Sequence, residues 1–208
     1  MLFGGENMKK HENHISFYKY KDFEIVSGVC VHFFPIHIHR TLCIGIIRSG
    51  YANFVISNQK TILTAGDYYI IPPYTPHSLS PVNNKAFSYS VCCFKGFHAK
   101  QNLSDVIADT KEYIEKTPAE FNLTMLSEAI HISKYHLNRK FKEQIGITPY
   151  QFYVNERVKK IRQGLLSSSS LSDLAFELGF SDQSHLCNAF KKHMGISPLQ
   201  YVSSYYNF

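Results

Sequence analysis

The sequence predicts two domains, β then α: an antiparallel β-barrel, then an all-α half with two helix-turn-helix motifs joined by a connector helix. Three observations carry this expectation. Phe141-Lys-x-x-Ile-Gly-Ile-Thr-Pro-x-Gln-Phe152 returns 49 positions later as Phe190-Lys-x-x-Met-Gly-Ile-Ser-Pro-x-Gln-Tyr201, so one helical device is written twice. Residues 15–95 instead run in short stretches rich in Ile, Val, Phe and Tyr. These are broken at Ser49-Gly50, Ser57-Asn58, Ala65-Gly66-Asp67 and Pro72-Pro73-Tyr74-Thr75-Pro76, the pattern of antiparallel strands and turns. The pattern changes between residues 94 and 102, which divides the chain into residues 1–98 and 99–208.

Within the barrel, His37-Ile38-His39 sets two imidazoles on one strand face, because side chains two apart point the same way. Cys43 shares their parity, and His77, after the Pro72-Pro73 turn, closes the set from a neighbouring strand. His37-x-His39-x-x-x-Cys43 and Gly66-(five residues)-Pro72-x-Tyr74-x-x-His77 resemble the two motifs of the cupin family. The resemblance implies a cupin-like barrel with His37, His39, Cys43 and His77 at the metal positions, although cupins commonly have Glu where Cys43 stands and Gly where Tyr74 stands. Three His and one Cys suit Zn(II), Ni(II), Co(II) or Fe(II) better than Mg(II) or Ca(II). The other use of the set is to hydrogen-bond an organic effector or one another. Metal-assisted catalysis needs an open coordination position and a base, and no acidic residue stands near the His motif, so a sensor is expected rather than an enzyme. Tyr51, Tyr68 and Tyr69 read as ordinary strand aromatics.

Residues 103–115 are helix-like, and Pro118 precedes the first helix-turn-helix unit. Leu126-Ser127 then Ile132-Ser133, and Leu174-Ala175 then Phe180-Ser181, keep the same spacing of a short helix, a turn and a second helix. Ser133 and Ser181 are the expected N-caps of the second helices. Leu137 with Phe141, and Leu186 with Phe190, lie four apart on one buried face. Gly146 and Gly195 are placed to end each helix in the left-handed conformation. Thr148-Pro149-Tyr150-Gln151 and Ser197-Pro198-Leu199-Gln200 then combine a hydroxyl N-cap, proline at N1 and Gln at N3. Residues 149–166 form the connector, ending in a turn at residues 167–170. A single copy would read as an ordinary helical bundle, and a solenoid needs three or more units; two copies on a basic chain point to a reader of double-stranded DNA.

Charge agrees. The chain carries 22 Lys and Arg against 16 Asp and Glu, a net charge of +6. Residues 134–162 alone hold eight basic residues, Lys134, Arg139, Lys140, Lys142, Arg157, Lys159, Lys160 and Arg162, against Glu143 and Glu156. Such a band suits phosphate contacts and salt-sensitive affinity, and it is equally what a solvated helix face carries.

Leu174-Ala175-Phe176-Glu177-Leu178-Gly179-Phe180-Ser181-Asp182-Gln183-Ser184-His185, with Phe190-Lys191-Lys192 and Gly195-Ile196-Ser197-Pro198, resembles the AraC/XylS family of bacterial transcription regulators over residues 102–206. That resemblance implies two helix-turn-helix units on a rigid connector, each placing its second helix in successive major grooves about 34 Å apart. It puts base readers at Tyr135, Asn138 and Arg139, with Arg suited to guanine and Asn to adenine, and at Gln183, Ser184 and Asn188. Family members often have Arg where Asn188 stands and an aromatic where Leu186 stands, so the second unit is expected to read fewer bases. Lys134, Lys140, Lys142, Lys191 and Lys192 are the phosphate candidates. The implied function is a ligand-responsive, sequence-specific transcription regulator whose partners are DNA, a metal ion or small effector, and RNA polymerase if it activates. The competing readings are a metal-dependent cupin enzyme with a nucleic-acid-binding half and an architectural DNA-binding protein.

No run approaches the ~20 apolar residues of a membrane span, and residues 1–14 lack the apolar core of a signal peptide, so a cytoplasmic protein with no membrane partner is expected, with Met1 or Met8 as its start. Five cysteines, Cys30, Cys43, Cys92, Cys93 and Cys187, form no disulfide framework. Adjacent Cys92 and Cys93 face opposite sides of a strand, and Cys43, by its imidazole neighbours, is the candidate redox-responsive thiol. The short segment between barrel and DNA-binding half leaves little room for a helical dimerisation subdomain, so monomer and barrel-mediated homodimer both stay open.

Overall fold

The computed structural model describes residues 13–96, 101–117, 119–167 and 170–207. Among the described residues nine strands come first: β1 (His14–Lys19), β2 (Phe23–Cys30), β3 (Phe34–His37), β4 (Leu42–Ser49), β5 (Tyr51–Ile56), β6 (Gln59–Thr64), β7 (Tyr68–Ile71), β8 (His77–Pro81) and β9 (Phe87–Phe94). They lie in two sheets, one ordered β1-β2-β9-β4-β7 and the other β3-β8-β5-β6. Every pairing among them is antiparallel. Strand β4 shows why: Cys43, Gly45 and Ile47 turn inward while Ile44 and Ile46 stay exposed, the period-2 alternation of a half-buried strand. Ser57 and Asn58 both take positive φ (47° and 68°), the geometry of a two-residue hairpin turn between β5 and β6.

Among the described residues seven helices follow: α1 (Asp105–Lys116), α2 (Leu123–Ala129), α3 (Lys134–Ile145), α4 (Pro149–Leu166), α5 (Leu171–Glu177), α6 (Gln183–Met194) and α7 (Pro198–Ser203). Ser133 caps α3 as expected, its hydroxyl accepting from the His136 amide. The cap of α6 is Asp182 and not Ser181: the Asp182 carboxylate accepts from the His185 amide at 2.8 Å, and Ser181 only supports it from outside the helix. A carboxylate at a helix N-terminus gains from the helix dipole as well as the hydrogen bond, which favours Asp over its neighbour. Both expected capping boxes form, at Thr148/Gln151 and Ser197/Gln200. Gly146 (φ 92°) and Gly195 (φ 76°) end α3 and α6 in the left-handed conformation. The turn expected at residues 167–170 and the domain border at residues 94–102 fall partly, and Pro118 and residues 1–12 wholly, outside the described residues.

Three cores result. Cys43, Ile47, Phe54, Ile71 and Phe87 fill the barrel. Ile107 and Ile114 of α1 pack with Leu137, Phe141, Phe152 and Tyr153 in the first helix-turn-helix unit, so α1 serves that unit. The third core joins the two halves: Ile15 and Phe17 of β1 pack with Val158 and Ile161 of α4 and with Leu174, Leu186, Phe190 and Tyr201. The connector α4 thus contributes to both helical cores. One element was not foreseen in the helical half, a strand β10 (Tyr205–Asn207) that pairs in parallel with β1 and extends the first sheet.

Candidate functional site

A cavity of about 410 Å³ opens between the barrel and the helical half. His37 and His77 face each other across the β3–β8 pairing, and His39 joins them from just beyond the end of β3. Their ring centroids are 4.2 to 5.9 Å apart, and their ligand atoms all fall within 4.8 Å of one another. A shared strand face was expected; β3 itself ends at His37, after a register shift, so His39 lies two residues on, outside the strand.

The second bond of each ring explains its aim. The Nδ1 atoms of His37, His39 and His77 meet the carbonyl oxygens of Pro35 (2.8 Å), Thr41 (3.1 Å) and Thr75 (2.9 Å). A carbonyl only accepts, so each Nδ1 carries the proton and each Nε2 keeps its lone pair, the tautomer a metal-binding imidazole needs. Burial, then neighbouring imidazoles, push His37 down to about 4 and His77 well below the ordinary value of 6.5, so both are neutral at pH 7. The donor set fits a divalent transition metal with a position left for solvent or an effector atom.

Cys43 sits differently from the expectation. It lies on β4 in the other sheet, 3.6 Å from His39 Nε2, outside the three-imidazole group, with its Sγ 2.9 Å from Cys93 Sγ. The shared proton lowers Cys43 and raises Cys93. Cys92 and Cys93 do face opposite ways, since Cys93 lines the cavity and Cys92 a separate shallow depression on the outer sheet face. Tyr51 and Tyr68 are exposed, whereas Tyr69 is buried in the cavity wall.

The wall also holds side chains that no sequence motif indicated. Asn155, Glu156, Lys159 and Arg162 come from α4, His193 and Met194 from the end of α6, and Glu24 from β2. One carboxylate that reaches the cavity wall from afar is Glu156, which is buried and paired to Lys159 at 2.8 Å. Asn155 Nδ2 is buried without a hydrogen-bond partner. Arg162 donates to both oxygens of Glu24 (3.0 and 3.1 Å) and to the Tyr201 hydroxyl (3.0 Å), tying β2 to α4 and α7. Glu24 and Arg162 are 138 residues apart, beyond the reach of any spacing argument.

The expected phosphate band is narrower than its charge count. Arg162 is committed to Glu24, and Arg157 donates to the Leu178 carbonyl at 2.7 Å with its guanidinium 3.5 Å from the Phe180 ring centroid. Both serve internal packing. On α3, Tyr135 is 77% exposed, with Arg139 also exposed and Asn138 and Lys140 partly so. Lys134 and Lys142 are exposed as well, and Arg139 makes only a loose contact to Glu143 at 3.8 Å. On α6, Gln183, Ser184, Asn188, Lys191 and Lys192 are all exposed. These outward residues are open to solvent, while the barrel meets each helix at its C-terminal end. A Cβ on Gly146 would lie 2.2 Å from Pro76, and one on Gly195 3.0 Å from the His32 ring. His32 Nε2 bonds the Lys192 carbonyl (3.1 Å), and Asn13 donates to the Gly195 carbonyl (2.7 Å).

Two family profiles match the chain: "AraC-like ligand binding domain" over residues 28–145 and "Helix-turn-helix domain" over residues 126–204. Among curated relatives, the uncharacterized HTH-type transcriptional regulator YbfI of Bacillus subtilis is 41% identical over 85 residues, covering 40% of this chain and 30% of YbfI. The HTH-type transcriptional activator RhaS of Escherichia coli is 34% identical over 80 residues, 38% of this chain and 29% of RhaS. The chain thus spans about 30% of the length of the curated relatives it matches. ToxT from Vibrio cholerae has a similar fold, with a TM-score of 0.54 at 11% identity, covering 88% of this chain and 99% of that one. No helix among the described residues is long and apolar enough to cross a membrane.

Proposed function

This chain belongs to the AraC family, and we propose that it acts as a ligand-responsive, sequence-specific DNA-binding transcription regulator. The observation that carries the reading is the shared cavity wall. The barrel supplies His37, His39 and His77, while the connector α4 and the end of α6 supply the opposite side. An effector in that space touches both halves at once, and it shifts the population of DNA-presenting states only as far as its affinity for those states differs. Transmission has short routes: Pro76, next to His77, abuts the end of α3, and His32 abuts the end of α6.

The effector is a divalent transition metal, Zn(II), Ni(II), Co(II) or Fe(II), held by His37, His39 and His77, or a small organic molecule hydrogen-bonded by the same imidazoles and by Asn155. A bound metal would supply a Lewis-acidic centre for an oxygen or nitrogen atom of a ligand. Tyr135, Asn138 and Arg139 read bases in one major groove, and Gln183, Ser184 and Asn188 contact the next. Lys134, Lys140, Lys142, Lys191 and Lys192 meet phosphates. RhaS is named an activator; a similar role here would add RNA polymerase as a partner.

Glu156 in the cavity favours one other reading, a metal-dependent cupin enzyme with a nucleic-acid-binding half, but its carboxylate is already held by Lys159 at 2.8 Å. The deciding experiment is selection of bound sequences from random duplex DNA, with and without each of the four metals. A two-half-site motif whose enrichment changes with one metal supports the regulator. No enriched motif under any condition overturns it, and turnover of a small molecule by metal-loaded protein favours the enzyme.

A further inference from the structure

Cys43 of β4 and Cys93 of β9 are directly opposite partners in the antiparallel register. Residues so placed have Cβ atoms about 4.5–5.5 Å apart, at the edge of the separation a disulfide spans. Here both side chains turn inward, and the two sulfurs already approach to 2.9 Å. Both thiols are free, and both line the cavity, which gives a small reagent a path to them. The three other cysteines lack this arrangement: Cys92 faces the outer surface of the sheet, Cys187 lies on α6, and Cys30 stands opposite Phe87.

We propose that Cys43 and Cys93 form an oxidisable dithiol, a site of reversible intramolecular disulfide formation whose oxidant is a small hydroperoxide admitted through the cavity. In the first step one sulfur attacks a peroxide oxygen, the O–O bond breaks, and the departing oxygen takes up the thiol proton and leaves as water from hydrogen peroxide, or as an alcohol from an organic hydroperoxide. The sulfur, now a sulfenic acid, has lost two electrons to the peroxide. The second sulfur then attacks it, the S–S bond forms, the S–O bond breaks, and the hydroxyl leaves as water with the second thiol's proton. Two thiols and one hydrogen peroxide give one disulfide and two waters, and a small dithiol reductant reverses the change by exchange. The bond clamps β4 to β9 beside His39, whose ring touches Cys43. The site stands whether or not the chain regulates transcription.

The test uses the full chain, reduced, exposed to about one equivalent of hydrogen peroxide and then alkylated under denaturing conditions. The expected result is loss of two of the five alkylatable thiols, a cross-linked peptide pairing Cys43 with Cys93, migration as an uncross-linked chain on a non-reducing gel, and recovery of both thiols with dithiothreitol. Fragmentation between Cys92 and Cys93 assigns the bridge. The variant Cys92→Ser should retain it, and Cys93→Ser should lose it. The proposal is overturned if Cys43 and Cys93 remain alkylatable while other thiols oxidise, if they pass directly to sulfinic acids, or if the bridges formed join separate molecules through Cys92 or Cys187. The wild-type measurement decides the matter even if a variant fails to fold.

Discussion

Arg139 stands exposed on α3, one helical turn from Tyr135 and beside Asn138, with only a loose tie to Glu143. Its guanidinium is thus free to make the bidentate contact that guanine offers in a major groove. Arg139→Ala is expected to weaken DNA binding by about 1 to 3 kcal/mol and relax base preference at one position; unchanged binding across a randomised library would remove Arg139 from the reading set. In the cavity, replacing His37 and His39 together leaves one imidazole of three and should abolish metal uptake, as elemental analysis of metal-incubated protein would show. Acid should act through the same rings. His37 is held down to about 4 against an ordinary 6.5, so between those values the folded state binds fewer protons than the unfolded chain. Stability is then complete above pH 6.5 and falls as pH drops toward 4, by up to about 3 kcal/mol from His37, with His77 acting in the same direction. Denaturant midpoints at pH 7.5 and 5 that coincide would contradict this. At this scale, His37, His39 and His77 were legible as a group because a short motif and a turn place them, while Asn155 and Glu156 carried no signal until α4 folded over the barrel.

Among the elements, α6 shows how closely local chemistry defines a helix and where it leaves a choice. Ser181 and Asp182 are both capping residue types, and spacing favoured Ser181 by analogy with Ser133. The carboxylate of Asp182 took the position, accepting from the His185 amide. Asp182→Ala should therefore lower the thermal midpoint, and Ser181→Ala should lower it less; equal losses would show that the two share the cap. The connector α4 matched its expected limits because Thr148, Pro149 and Gln151 form a complete start signal. Its charges were less transparent. Arg157 and Arg162 counted toward a phosphate band in the linear sequence, yet both point inward, where Phe180, the Leu178 carbonyl and Glu24 hold them. Charge alone does not report which side of a helix faces the neighbouring domain.

Across the whole molecule, β1, α4 and α7 share one core, and Arg162 bridges Glu24 and Tyr201 within it. Arg162→Ala should leave the Glu24 carboxylate poorly compensated and lower stability by about 2 to 3 kcal/mol. It should also loosen the barrel from the helical half, seen as faster amide exchange along β1 and β10; exchange unchanged there would deny the contact a role in joining the halves. Raising salt should weaken DNA binding steeply, since exposed lysines on α3 and α6 displace counterions, and a flat response would contradict phosphate contacts on those faces. The sequence by itself determined the barrel, the paired helix-turn-helix units, the cap of α3, both capping boxes and the imidazole trio, because alternation, helical spacing and capping act over a few residues. Only the tertiary structure decided that the cavity is closed by the connector helix, that Cys43 stands opposite Cys93 as well as beside His39, and that β10 extends the barrel's sheet. The long-range contacts among these join residues 50 to more than 180 positions apart, and their partners are selected by how whole surfaces pack.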